Sequence, residues 1–198
     1  MARPKSATHE LQREAILDVA AQCFAQRSYV AASMNDIAAA CGTSKARLYH
    51  YYGSKEAILF DLLDRYTQHL LAIIGQTDAS AQRKNLVDRA ALHELIRNFL
   101  EQYETSATRH SALLGDTKFL GDVQRELILD RQRDVVSAMT RFLKRAYPQR
   151  ITATNQTAVT MMLFGMLNWT FTWLRPDGPM SYRDYAKEVI AMLERGLA

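Results

Sequence analysis

The residues best suited to chemistry lie in one short stretch, TSKARLYHYYGSK, from Thr43 to Lys55. It holds the cations Lys45, Arg47 and Lys55, the imidazole of His50 and the phenols Tyr49, Tyr51 and Tyr52. Cations interleaved with phenols suit a polyanion. Guanidinium and ammonium groups meet phosphate oxygens, and a tyrosine hydroxyl donates from the end of a stiff arm. Lys45 and Arg47 fall in the first turn of a short helix expected over about Ser44 to Tyr51. The macrodipole disfavours cations at that end by about 0.3–1 kcal/mol each. The placement makes sense if that end points at phosphates and base edges.

No other part of the chain offers a comparable cluster. HExxH, GxSxG and phosphate-loop patterns are missing, and His9, His50, His69, His93 and His110 have no ligand spacing. Cys23 and Cys41 stand 18 positions apart without a CxxC pattern, which suggests neither zinc nor a disulfide framework. No enzyme, metal or cofactor is expected. The charge balance, 25 Lys and Arg against 21 Asp and Glu, permits a nucleic-acid partner without requiring one. A net +4 is too small for a protein that coats DNA without regard to sequence.

The elements that position the cluster are helical. Ile16, Val19, Ala20, Cys23 and Phe24 form one apolar stripe at i, i+3, i+4, i+7 and i+8. Ser33 caps a short helix, Met34 to Cys41, with Asp36 as its acidic partner, and Gly42 supplies the stop. The second short helix follows at once, and Ser54 caps a longer one bearing Leu59, Leu62, Leu63, Tyr66, Leu70 and Ile73. Gly75 to Lys84 is expected as a loop or helix break. Three amphipathic stretches come next: Leu86 to Tyr103, a short one around His110 to Leu114, and Val123 to Tyr147. An apolar helix over Ala158 to Trp173 runs into the turn Arg175-Pro176-Asp177-Gly178-Pro179, and Ser181 caps a final helix ending near Gly196. The apolar run, 16 residues with Asn168 inside it, is short for a membrane span of about 20 residues. The expectation is an all-α chain of about nine helices.

Two short helices joined by Cys41-Gly42-Thr43 behind a longer supporting helix have helix-turn-helix spacing. Ile37, Ala38, Leu48 and Tyr52 can supply its inside, leaving Lys45, Ala46, Arg47, Tyr49, His50 and Tyr51 outside. An αα-hairpin with solvated charges has the same spacing.

The string from Ser33 to Leu59, SMNDIAAACGTSKARLYHYYGSKEAIL, resembles the DNA-binding head of the TetR family of bacterial transcriptional regulators. Ser33, Ile37, Ala38, Gly42, Ser44, Leu48, Tyr49, Tyr51, Ser54 and Lys55 match its pattern; Thr43 replaces the usual Val, Ala46 the frequent Gly and Tyr52 the usual Phe. The resemblance implies a three-helix DNA-binding head, residues 1–56, on a helical ligand-binding and dimerisation domain, residues 57–198. It puts Lys45, Ala46 and Arg47 at base edges and Ser33, Tyr49, His50, Tyr51 and Lys55 at phosphates. Arg47 suits direct readout, because its fork matches the O6/N7 edge of guanine. The implied activity is that of a ligand-responsive regulator, a repressor in the family's commonest mode. It would bind a palindromic double-stranded DNA operator as a homodimer in the cytoplasm, without a membrane and with a small-molecule effector. The rival reading is a helical small-molecule-binding bundle without DNA-binding activity.

The family usually dimerises through its last two long helices, here about Thr152–Arg175 and Ser181–Gly196. Gly165, Trp173, Tyr185 and Ile190 are the expected interface residues. Phe99, Tyr103, His110, Met162, Met166, Asn168 and Trp169 are the expected pocket residues, with an adaptable apolar character suited to a hydrophobic ligand. The segment FGMLNWTFTWLRPDG, Phe164 to Gly178, is similar to a stretch of TetR-type regulators that respond to acyl-CoA thioesters. In that reading Arg97, Arg109, Arg131, Arg133 or Arg175 would meet the nucleotide phosphates.

Overall fold

The computed structural model describes residues 3–175 and 177–197, with side chains from residue 7 onward. Pro176, in the turn expected before the last helix, lies outside the described residues. Among the described residues are nine α-helices, two 3₁₀ turns and no strand, as the all-α reading anticipates. The helices are α1 Arg3–Ala31, α2 Met34–Ala40, α3 Lys45–Tyr51, α4 Lys55–Arg83, α5 Asp88–Thr105, α6 Ala107–Gly115, α7 Asp122–Ala146, α8 Gln156–Asn168 and α9 Tyr182–Leu197. The chain forms two compact units, residues 1–66 with 108–128 and residues 67–107 with 129–198. The packing thus carries the first unit past residue 56 and adds a second segment to it.

In the first unit the stripe of α1 is buried through Ile16, Leu17, Ala20, Ala21 and Phe24. Ile37 of α2, Leu48 of α3 and Ile58, Leu59, Leu62 and Leu63 of α4 complete this core. Each of the large Ile, Leu and Phe side chains contributes roughly 1.5–3 kcal/mol on full burial. Helix α1 is interrupted at Ser28, whose φ of 66° offsets the last turn. The segment 108–128 is tied to the same unit: Phe119 stacks on Tyr29 at 4.9 Å, and Gly121 N donates to Glu56 Oε1 at 2.8 Å.

In the second unit α5 is central, burying Leu92, Leu95, Ile96, Phe99, Leu100 and Tyr103. Helix α9 packs along it with Ala186, Val189, Ile190 and Leu193 buried, and α8 adds Leu163, Phe164 and Leu167. The expected break after Gly75 does not occur, for α4 continues to Arg83. Its buried side chains Ile74, Thr77 and Ala81 maintain helical spacing, so packing outweighs the weak propensity of the small and polar residues between them. The helix stops at Asn85, φ 49°, where Leu86 N reaches back to Ala81 O at 2.9 Å. Helix α8 ends earlier than its hydrophobicity suggests, giving way to a 3₁₀ turn over Trp169–Thr172. There the hydroxyls of Thr170 and Thr172 take the carbonyls of Leu167 and Trp169 at 2.8 and 2.7 Å. No helix among the described residues is long and apolar enough to cross a membrane.

Candidate nucleic-acid interface

Helix α2 opens on a capping box. Ser33 Oγ accepts from Asp36 N at 3.2 Å, and Asp36 Oδ2 accepts from Ser33 N at 2.9 Å and from its hydroxyl at 2.6 Å. Ser33, first of the expected phosphate contacts, therefore has its hydroxyl engaged in the cap. Those bonds, with Arg27 beside them, hold the Asp36 carboxyl below its ordinary pKa. The turn that follows requires Gly42, at φ 62°: Thr43 N returns to Ala38 O at 2.9 Å and Gly42 N to Ala39 O at 3.0 Å.

Ser44 then caps α3, its hydroxyl accepting from Arg47 N at 3.2 Å. Leu48 is the buried residue of this seven-residue helix. Lys45, Ala46, Arg47, Tyr49 and His50 are exposed, while Tyr51 is half-buried, its ring tilted against His9 of α1 at 4.9 Å between centroids. Lys45 Nζ stands 5.9 Å over the Tyr49 ring, but neither Lys45 nor Arg47 has an ion pair with the described residues. Two cations at the helix end that disfavours them, with no carboxylate to offset them, face solvent on a firmly capped scaffold.

Lys55 has a different environment from that expected of a phosphate contact. Its ammonium donates to the carbonyls of Tyr29, Val30 and Ala32 at 2.6, 3.3 and 2.7 Å and lies 4.4 Å over the Tyr29 ring. All three of its protons close the last turn of α1. The sequence reading also missed Arg13 and Asp61. The Tyr52 hydroxyl, buried inside the head, donates to Asp61 Oδ2 at 2.6 Å and accepts from Arg13 Nε at 3.3 Å. Burial alone would raise the Asp61 carboxyl, but Tyr52, Arg65 and Arg13 outweigh it and hold the pKa down. The only signal in the sequence is the hydroxyl itself, at a position where the resemblance leads one to expect Phe.

The expected pocket residues are drawn from both units. His110 belongs to the first unit, where Tyr66 and its Nδ1 stand 3.1 Å apart. In the second unit Phe99 and Tyr103 are buried, and Tyr103 donates to Asn168 Oδ1 at 3.0 Å, which gives the amide the partner its position demands. Met166 is half-buried, its carbonyl taken by the Tyr185 hydroxyl at 2.9 Å. Met162 and Trp169 face outward, 68% and 63% exposed, so they do not line the interior of this unit. They share their face with Met161 and Gly165, beside half-exposed Trp173, which meets Tyr185 edge-on at 5.2 Å. Ile190, expected at a subunit boundary, is buried in its own protomer among the residues that pack α9 on α5.

Of the arginines expected at a ligand's phosphates, Arg109 is held in the first unit by Glu14 at 2.9 Å and Asp18 at 2.7 Å. Arg133 pairs with Asp130. Arg97 lines a cavity of 370 Å³ with Glu101, Glu104, Tyr182, Arg183 and Ala186. A polar groove of 740 Å³ runs between α4 and α5, walled by Gln76, Thr77, Ser80, Glu94, Asn98 and Gln102 among others. Among the described residues no group of three or more His, Cys, Asp or Glu is placed to hold a metal ion.

Comparison with known proteins agrees with this architecture. Residues 16–62 match the model of the bacterial regulatory proteins of the tetR family, and residues 86–197 match that of the tetracyclin repressor-like C-terminal domain. The HTH-type transcriptional repressor KstR2 of Rhodococcus jostii is 33% identical over 102 residues, which cover 52% of this chain and 47% of that protein. The match thus spans about half the length of this relative. A TetR-family regulator from Bordetella parapertussis superposes with a TM-score of 0.84 at 34% identity, over 91% of this chain and 92% of that one. AibR, solved with isovaleryl coenzyme A and operator DNA, superposes with a TM-score of 0.76 at 25% identity, over 91% and 97% of the two chains. With both family models matched, and the helix-turn-helix built as the sequence requires, the chain is a member of the TetR family of bacterial transcriptional regulators, with a DNA-binding N-terminal domain.

Proposed function

We propose that this protein is a ligand-responsive repressor, not an enzyme, which binds a palindromic operator as a homodimer in the cytoplasm and is released by a small hydrophobic effector. The observation that carries the reading is the first turn of α3: Lys45 and Arg47 are exposed on a capped helix and have no ion-pair partner there. In the role assignment, Lys45, Ala46 and Arg47 meet base edges, while Tyr49, His50 and Tyr51 hold phosphates. Two heads related by a two-fold axis demand half-sites related by the same axis.

The homodimer is supported by the outward face of α8 and the turn after it, where Met161, Met162 and Trp169 are all more than half exposed. An apolar surface of that kind is costly in water unless a partner covers it. The effector class we favour is an acyl-CoA thioester. Its support is the Phe164 to Gly178 resemblance, the hydrogen bond of buried Tyr103 to half-buried Asn168, and the likeness to AibR, which was solved with such a thioester.

The test is retardation of duplexes from the protein's own promoter region, then challenge of the complex with paired acyl-CoA thioesters and free acids. The expected result is a salt-sensitive complex released by a thioester. Binding of the hydrophobic ligand without any retardation would favour the bundle that does not bind DNA. Release by the free acid alone would end the thioester assignment.

A further inference from the structure

We propose that the Tyr52 hydroxyl is a positioning group for the DNA-reading helix α3, and that a ladder of ion pairs extends its anchorage to Arg109 on α6. The inference rests on the DNA-binding reading. Helix α3 has seven residues, fully buries only Leu48 and half-buries Tyr51 against His9, so few side chains fix it. So short a helix does not hold its own geometry in water, and without a second anchor its charged first turn could pivot about Leu48. Tyr52 supplies that anchor at the C-cap, where its backbone N–H closes on Leu48 O at 3.0 Å. Tyr52 is 4% exposed, a burial that Phe would satisfy equally well. The hydroxyl adds direction by donating to Asp61 and accepting from Arg13.

From Asp61 the ladder continues with alternating charge. Asp61 Oδ1 takes Arg65 Nε at 2.9 Å, Arg65 Nη1 reaches Glu14 Oε1 at 2.8 Å, and Glu14 Oε2 takes Arg109 Nη2 at 2.9 Å. Each of the two carboxylates divides its oxygens between partners, so no link can shift without its neighbours. The side chains of Asp61, Arg65 and Arg109 are 16%, 27% and 14% exposed, which shields the Asp61–Arg65 pair, while Glu14, at 42%, leaves its two links more open to solvent. All of these residues belong to the first compact unit. Tyr52 and Arg109 have no hydrogen-bond partner in common among the bonds above, so any coupling between them must pass through the intervening links.

A double-mutant cycle tests this. Wild type, Tyr52→Phe, Arg109→Gln and the double variant are compared for affinity to the duplex that wild type enriches from a random-sequence library, and to unselected duplex. Urea unfolding of all four gives the folded fraction to which affinity is normalised. Tyr52→Phe should weaken the selected complex about three- to tenfold per folded molecule, with a smaller effect on unselected duplex, and Arg109→Gln should weaken it too. The double variant should be little worse than the more affected single one, since both cut one ladder, whereas independent sites multiply their effects. Multiplicative losses, or a Tyr52→Phe protein that binds as wild type does, would overturn the inference and leave DNA binding standing. A wild-type protein that enriches no duplex overturns the DNA-binding reading, and this inference with it.

Discussion

The Lys55 ammonium donates to the Ala32 carbonyl at 2.7 Å, so the first residue of α4 closes the chain leaving α1. Two further carbonyls, of Tyr29 and Val30, share the same charge. Lys55→Met should therefore lower the stability of the head by about 1–3 kcal/mol, the range for hydrogen bonds to a charged group and the carbonyls left behind. Urea denaturation checks this. The salt slope of DNA binding should stay unchanged, where loss of a phosphate contact would reduce it by about one unit per half-site.

Arg47, exposed and without an ion pair, has the opposite profile. Arg47→Ala should leave stability within about 0.5 kcal/mol of wild type, as is usual for surface substitutions. It should relax base preference at one position per half-site, at a cost of roughly 1–3 kcal/mol for the preferred base. Tyr49→Phe should weaken selected and unselected sequences alike. Retardation on a panel of single-base operator variants separates the two outcomes.

Gly42 holds the helix-turn-helix turn by conformation alone, since an added Cβ would meet nothing within 4 Å. Gly42→Ala should cost about 1–2 kcal/mol, the penalty for a left-handed residue with a side chain. Thermal unfolding would register the loss. Gly165, with equally open space but no positive φ, should accept Ala without that penalty.

Exposure on α8 and burial on α9 separate assembly from folding. Met162→Glu and Trp169→Glu should give folded monomers in sedimentation, with operator binding lost. Ile190→Ala should instead leave the oligomer intact and cost about 2–5 kcal/mol, as for other large-to-small core changes. Monomers from Ile190→Ala, with dimers persisting in the other two, would reverse the assignment.

Acid should loosen the head through Asp61 and Glu14. Burial raises both carboxyls, but Tyr52, Arg65 and Arg13 for Asp61, and Arg109 and Arg65 for Glu14, bring the net pKa below the ordinary 3.8 and 4.5. The unfolded chain then binds more protons in that window, so stability is fully present above the ordinary values and falls as pH drops through the lowered ones. The difference in urea midpoint between wild type and Asp61→Asn, which cancels the other titrating groups, should be constant above about pH 5 and shrink below it.

The sequence by itself determined the two short helices of the head, their ends and the start of α4. Ser33, Gly42, Ser44 and Ser54 act within three or four residues of themselves, and such local chemistry is legible wherever the chain is read. It also determined the exposed basic turn of α3, because the period of Ile37, Leu48 and their neighbours leaves Lys45 and Arg47 only the outer face. Tertiary structure decided which charges are free. Lys55 and Arg109 look like Arg47 in the sequence, yet their partners are 23 or more positions away, and nothing local marks them. It decided as well that α4 continues past Gly75, since burial of Thr77 and Ala81 outweighs the weak helix preference of that stretch. And it divided the apolar residues of α8 and α9 between core and surface, burying Ile190 and exposing Met162, because periodicity shows that a helix has two faces but not which neighbour covers each.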